Sequence, residues 1–153
     1  MINDNSVASD EVLINAPAET VWQVLIDFDN YSQWNPFCPQ IKAELKLGSS
    51  VEMMTDLGNG LQEQVEYITS IDAGKSIAWS MKNDPGDPVH ACRTQTLRVI
   101  DDNSCTYYTV DEFSGEYMPA MLEAFAAHIE TGFNRCAQGL KKQAEKLYQD
   151  DKA

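Results

Sequence analysis

Arg93 and Glu112 are the pair of residues with the most chemistry to offer. Each lies in a run that alternates apolar and polar residues, His90 to Ile100 and Cys105 to Glu116. The runs read as two strands joined around Asp102-Asn103, residues that tolerate positive φ. With a two-residue loop, Asp101 faces Ser104. That register sets Val99 opposite Thr106, Leu97 opposite Tyr108, Gln95 opposite Val110 and Arg93 opposite Glu112. Leu97 and Val99 turn this face inward, so Arg93, Gln95, Tyr108 and Glu112 are expected on the concave side. A slip of one residue would turn one strand's whole set outward. Arginine can fork two hydrogen bonds to a carboxylate, enolate or phenolate. Glu112 could hold Arg93 in place, or act as an acid or base once desolvation raises its pKa, and Tyr108 offers a phenol. Arg93, Glu112 and Tyr108 are therefore the catalytic candidates if the chain catalyses anything. The plainer reading of the Arg–Glu pair is a cross-strand ion pair that only sets register.

The elements that must position these groups are legible in the spacing. Val7 to Asn15 reads as a strand, and Ala16-Pro17-Ala18-Glu19 opens a helix with apolar Val21, Trp22, Val24, Leu25 and Phe28, since Pro suits a first helical turn and Glu its positive end. Asp29 to Trp34 reads as a second short helix, stopped by Asn35-Pro36-Phe37-Cys38-Pro39 because residues before Pro avoid the helical region. Strands are expected at Ile41 to Leu45, Ser50 to Thr55, Gln62 to Ile71 and Ser76 to Met81, separated by Gly-, Asn- and Asp-rich turns. From Met118 to Leu147 apolar residues recur at steps of three and four, one stripe of a long helix. The tail Asp150 to Ala153 is expected to fray. Runs of strands with flanking helices make the chain α+β. The stripe must be covered by the sheet, and a curved sheet around a long helix can leave a hollow.

Other side chains are candidates for the wall of that hollow. Trp79 shares a face with Ile77 and Met81 and is either a cavity wall or a core Trp with its N–H satisfied. Tyr67 carries a second phenol. Met118, Met121, Leu122, Phe125 and Ile129 on the long helix face the sheet, where Met makes an adaptable surface. His128 lies at the border of the stripe and His90 at a strand start, and neither has ligand spacing.

Composition narrows the function classes. Lys plus Arg number 11 against 24 Asp plus Glu, a net charge of −13. Such a surface repels nucleic acid and anionic membranes, and its first effect is solubility. No run of apolar residues is long enough to span a bilayer, and the N-terminus has no basic, apolar leader pattern. Cys38, Cys92, Cys105 and Cys136 are scattered without a C-x-x-C, as reduced thiols of a cytoplasmic protein would be. No zinc-type pattern exists, so neither a metal nor a cofactor is expected. There is no G-x-S-x-G, P-loop or dinucleotide glycine pattern. The length suits one domain over residues 1–153.

The runs Ile14-Asn15-Ala16-Pro17-Ala18-Glu19-Thr20-Val21-Trp22-Gln23-Val24-Leu25, Asp27-Phe28-Asp29-Asn30-Tyr31 and Trp34-Asn35-Pro36-Phe37, with Glu112-Phe113-Ser114-Gly115 ahead of the last helix, resemble the START-like SRPBCC superfamily. More narrowly they resemble its polyketide cyclase/dehydrase branch. The resemblance covers essentially the whole chain. It implies a helix-grip fold, with a seven-stranded antiparallel sheet wrapped around the C-terminal helix, two short helices after strand 1 and a ligand cavity between sheet and helix. It also implies that Trp34, Asn35 and Phe37 sit at the cavity mouth, where the plainer reading is a packing plug. The expected function is binding of a small hydrophobic or aromatic molecule, lipid-, quinone- or polyketide-like, by a monomer or weak homodimer without stable membrane insertion. The alternatives are a polyketide cyclase/dehydrase-like enzyme and a protein-interaction module with a closed cavity.

Overall fold

Alternating burial along the middle of the chain makes one antiparallel sheet, and a single apolar stripe makes the helix that closes it. The computed structural model describes residues Met1–Lys152. The strands are β1 (Ser6–Ala8), β2 (Val12–Ile14), β3 (Gln40–Lys42), β4 (Ser50–Asp56), β5 (Leu61–Asp72), β6 (Ser76–Ser80), β7 (His90–Asp101) and β8 (Ser104–Ser114). The helices are α1 (Ala18–Ile26), a 3-10 helix at Phe28–Gln33 and α2 (Met118–Lys152). The sheet runs β1-β8-β7-β6-β5-β4-β3, and β2 also pairs with β8. This is a helix-grip α+β fold, with eight strands where seven are expected. The expected first strand is broken at Ser9–Glu11 into two short pieces on one edge of β8. The expected second helix takes 3-10 form.

The stripe on α2 buries Leu122, Ala126, Ile129, Phe133, Cys136, Ala137, Leu140 and Ala144. Each large member contributes about 1.5–3 kcal/mol of gross stabilisation. The helix does not fray at Asp150: it continues through Lys152, and Ala153 lies outside the described residues. Gly132 is required by packing. A Cβ there would lie 2.3 Å from the ring of Phe37, so only glycine lets that ring rest on the helix.

The β7–β8 register differs from the expected one. Asp101 does face Ser104, and the Asp101 carboxylate caps the turn by accepting from Asn103 N at 2.8 Å and Ser104 Oγ at 2.9 Å. One residue upstream, however, Ile100 is bulged out, so that Val99 pairs with Cys105. An extra residue in one strand shifts every later pair by one. Leu97 then faces Tyr107, Gln95 faces Thr109 and Arg93 faces Asp111. The inward set of β8 is Cys105, Tyr107, Thr109, Asp111 and Phe113, and Tyr108 and Glu112 are turned outward.

Candidate functional site

Between the sheet and the N-terminal half of α2 lies a hollow of about 420 Å³. The sheet contributes Met53 and Thr55 from β4, Gln64, Val65 and Glu66 from β5, Trp79 from β6, Ala91 and Arg93 from β7, and Asp111 and Phe113 from β8. Helix α2 supplies Met121, Phe125, Ile129 and Phe133. Phe37, Leu57, Met81 and Val89 complete it from the connecting segments. Val65 and Met81 are more than a third exposed, so the wall on the β5–β6 side reaches the surface. The β4–β5 turn closes against α2 at Gly58, whose positive φ and missing side chain leave room for the ring of His128.

Arg93 is the fixed charge of this site. It is 5% exposed and forms no ion pair among the described residues. Its Nε donates to Thr109 Oγ1 at 2.9 Å, while Nη2 makes only long contacts, 3.5 Å to Gln95 Oε1 and 3.8 Å to Cys136 Sγ. Gln95 Oε1 is held from behind by the Tyr107 hydroxyl, which donates to it at 2.7 Å. Three rings surround the guanidinium, Phe133 at 4.3 Å, Phe37 at 5.5 Å and Trp79 at 6.0 Å from their centroids. Such faces partly replace lost hydration of a cation. Burial opposes the charge, but the neighbouring Tyr107, Cys136 and Asp111 groups more than offset it. Arg93 therefore stays protonated. The Nη edge is its under-used side.

Two carboxyls share the cavity. Burial pushes Glu66 up to about 8, with Asp111 adding to the rise and Arg93 opposing it. Burial likewise pushes Asp111 up to about 7, against the pull of Arg93. Asp111 Oδ1, Trp79 Nε1 and Thr55 Oγ1 are buried without hydrogen-bond partners. Unpaired buried polar atoms are costly, and here three of them belong to residues of one cavity wall. The arrangement can grip an oxygen-bearing group with Arg93 and exchange protons through Asp111 and Glu66 near neutral pH.

Of the side chains singled out from the sequence, Phe37, Trp79, Met81, Arg93, Met121, Phe125 and Ile129 line the hollow. Gln95 lies behind Arg93. Tyr108 is on the outer face, where its hydroxyl accepts from Arg98 Nη2 at 3.2 Å. Glu112 is exposed between Cys92 and Ser6. The expected Arg93–Glu112 pair does not form, because the Ile100 bulge exchanges Glu112 for Asp111. Trp34 packs edge-on against Tyr31 at 4.7 Å and borders a separate surface groove beside α1. Asn35 is a turn former whose Oδ1 accepts from Cys38 N at 2.9 Å. Tyr67, Met118 and Leu122 do not border the cavity. His90 Nε2 contacts Asp84 O at 2.9 Å.

Glu66, Asp111, Thr55, Met53 and Phe133 were not among the expected site residues. For Asp111 a signal existed: Cys105 and Phe113, the apolar ends of β8, share its parity. Glu66 shares parity with the buried Ile68 in a strand otherwise too polar to show an inward face. No group of His, Cys, Asp or Glu suited to a metal ion occurs among the described residues, and no helix there is long and apolar enough to cross a membrane.

The family model described as "Polyketide cyclase / dehydrase and lipid transport" matches residues 7–145. No curated protein matches the sequence. Among solved structures, the Zhui aromatase/cyclase from a Streptomyces species superposes with a TM-score of 0.72 at 19% identity, over 92% of this chain and 93% of its own. A START superfamily protein from Mycobacterium smegmatis gives 0.66 at 15% identity, over 94% and 99%. Norcoclaurine synthase from Thalictrum flavum, in complex with dopamine and hydroxybenzaldehyde, gives 0.68 at 16% identity, over 92% and 86%. At these identities the likeness carries the fold.

Proposed function

The chain belongs to the polyketide cyclase/dehydrase and lipid transport family, and from that premise we propose that its cavity binds a small hydrophobic or aromatic molecule. The observation that carries this reading is a hollow of about 420 Å³ walled by aromatic and Met side chains, with a few polar atoms lacking partners. Ligand sites have this size and make-up, apolar burial giving affinity and a few polar groups giving orientation. Lipid-, quinone- and polyketide-like molecules all fit the description. Phe37, Trp79, Met81, Met121, Phe125 and Ile129 would take the apolar body, and Arg93 a polar end. The test is a thermal-shift screen of lipophiles and aromatics, followed by calorimetry. A ligand should raise Tm in the parent chain and lose affinity in Phe125→Ala. No shift across a broad library would overturn the reading.

A second reading is a cyclase/dehydrase-like enzyme, favoured by two acids that titrate near neutral pH beside a fixed cation. Arg93 would stabilise an enolate oxygen, and Asp111 or Glu66 would move protons in place of Glu112 and Tyr108. Loss of turnover in Asp111→Asn with binding retained would support it. The hollow itself weighs against the third reading, a closed interaction module. We also take residues 1–153 as one domain of a cytoplasmic protein, monomeric or weakly dimeric. The four free cysteines of the described residues support a reducing compartment.

A further inference from the structure

The charges in the cavity differ in their freedom to adapt. Arg93 cannot release its proton in a protein, whereas a carboxyl can gain one when its surroundings turn unfavourable. A ligand cation would meet a permanent like charge. A ligand anion would meet two groups able to neutralise themselves. The donors point the same way. The Nη edge of Arg93 has only long contacts, and Trp79 Nε1 and Thr55 Oγ1 have no partner.

Building on the binding function above, we propose that the ligand is a hydrophobic carboxylic acid whose carboxylate sits on the Nη edge of Arg93 and whose apolar body lies against Phe37, Phe125 and Phe133. Binding is coupled to uptake of a proton from solvent by the Asp111–Glu66 pair. Arg93 on β7 faces this pair, Cys92 and Glu112 act on it from the outer side of the sheet, and around Arg93 lie Tyr107 on β8, Cys136 on α2, Cys38 next to Phe37 in the chain, and Tyr31 of the 3-10 helix. The bordering residues of β4 and of the N-terminal half of α2, such as Met53, Thr55, Met121 and Phe125, do not titrate. Burial keeps the pair partly protonated near neutral pH, so the uptake falls in an accessible range. A carboxylate ligand then binds more weakly as pH rises, by up to roughly tenfold per pH unit for one coupled proton.

The test uses the full chain and three probes of one shape: naphthoate, naphthylmethanol and naphthylmethylamine. Calorimetry at about pH 6 and about pH 8.5, in buffers of different ionisation enthalpy, reads both affinity and proton uptake. Naphthoate should bind at least about tenfold tighter than the alcohol at the lower pH, a gap of about 1.4 kcal/mol. The amine should bind weakest, and only naphthoate should take up protons. Asp111→Asn should tighten naphthoate at the higher pH and flatten its pH dependence. Arg93→Gln should lose the preference for acid over alcohol. If the alcohol matches naphthoate, or the amine is tightest, the carboxylate proposal is overturned and hydrophobic binding stands. If none of the three binds, the carboxylate proposal fails, and the library screen separately decides the binding function. An unchanged pH profile in Asp111→Asn removes the proton coupling.

Discussion

Thr109→Val isolates the bond that holds Arg93. Thr109 is fully buried, accepts from Arg93 Nε at 2.9 Å and donates to Thr94 O at 3.0 Å. Valine has nearly the same shape, so no cavity opens. What is lost is the acceptor for a buried, charged donor. Stranding such a donor costs about 1.5–3 kcal/mol, and the remaining contacts of Arg93, at 3.5 Å and 3.8 Å, are too long to replace it. For a chain of this length each kcal/mol lowers Tm by about 2–4 °C, so a loss of about 2 kcal/mol should lower Tm by roughly 4–8 °C. Urea denaturation should show the same loss in midpoint with an unchanged slope. Thr109→Ser keeps the hydroxyl and should recover most of the stability. A Val variant within about 0.5 kcal/mol of the parent, the range of a neutral surface change, would refute the claim that this bond fixes the guanidinium.

Three further outcomes check the geometry. Glu66 binds its proton more tightly folded than unfolded, so the folded state is favoured at low pH and its advantage is lost as pH rises from the ordinary Glu range through about 8. Glu66→Gln should flatten this slope in urea titrations across pH and be more stable than the parent at about pH 8.5, by on the order of 1–2 kcal/mol; a parallel profile would count against a desolvated Glu66. Gly132→Ala places a methyl 2.3 Å from the Phe37 ring and should cost about 1–3 kcal/mol by overpacking, read by thermal unfolding; a neutral result would mean that Phe37 does not rest on α2. Glu112→Gln and Tyr108→Phe should leave the affinity for naphthylmethanol, whose binding takes up no proton, unchanged in the calorimetric assay, because both side chains are on the outer face. A large loss in either would restore the unbulged register.

The bulge shows how far sequence reaches. The turn at Asp101–Ser104 was legible because short polar side chains there cap their own backbone. The bulge beside it was not, since Val99 and Ile100 are both exposed and nothing in their types marks which one leaves the ladder. That single residue decides whether Arg93 meets Glu112 or Asp111. Within β8 only the apolar ends Cys105 and Phe113 point to the inner face, a weak signal because each face also carries an aromatic, a threonine and an acid.

Strand and helix positions were legible for the opposite reason. A buried face repeats every two residues in a strand and every 3.6 in a helix, and these periods survive errors of a residue or two. The amphipathic stripe of α2 and the alternation of the strands therefore determined from the chain alone an α+β domain whose sheet covers one long helix, and that Arg93 points inward, while the helix-grip arrangement itself was what the family resemblance implied. Which atoms gather around Arg93 was decided only in three dimensions. Thr55 and Glu66 come from the β4–β5 hairpin and Asp111 from β8, far along the chain, and their shared cavity, raised carboxyl pKa values and missing partners arise from the curvature and register of the sheet. Those are properties of packing, and local residue spacing carries no record of them.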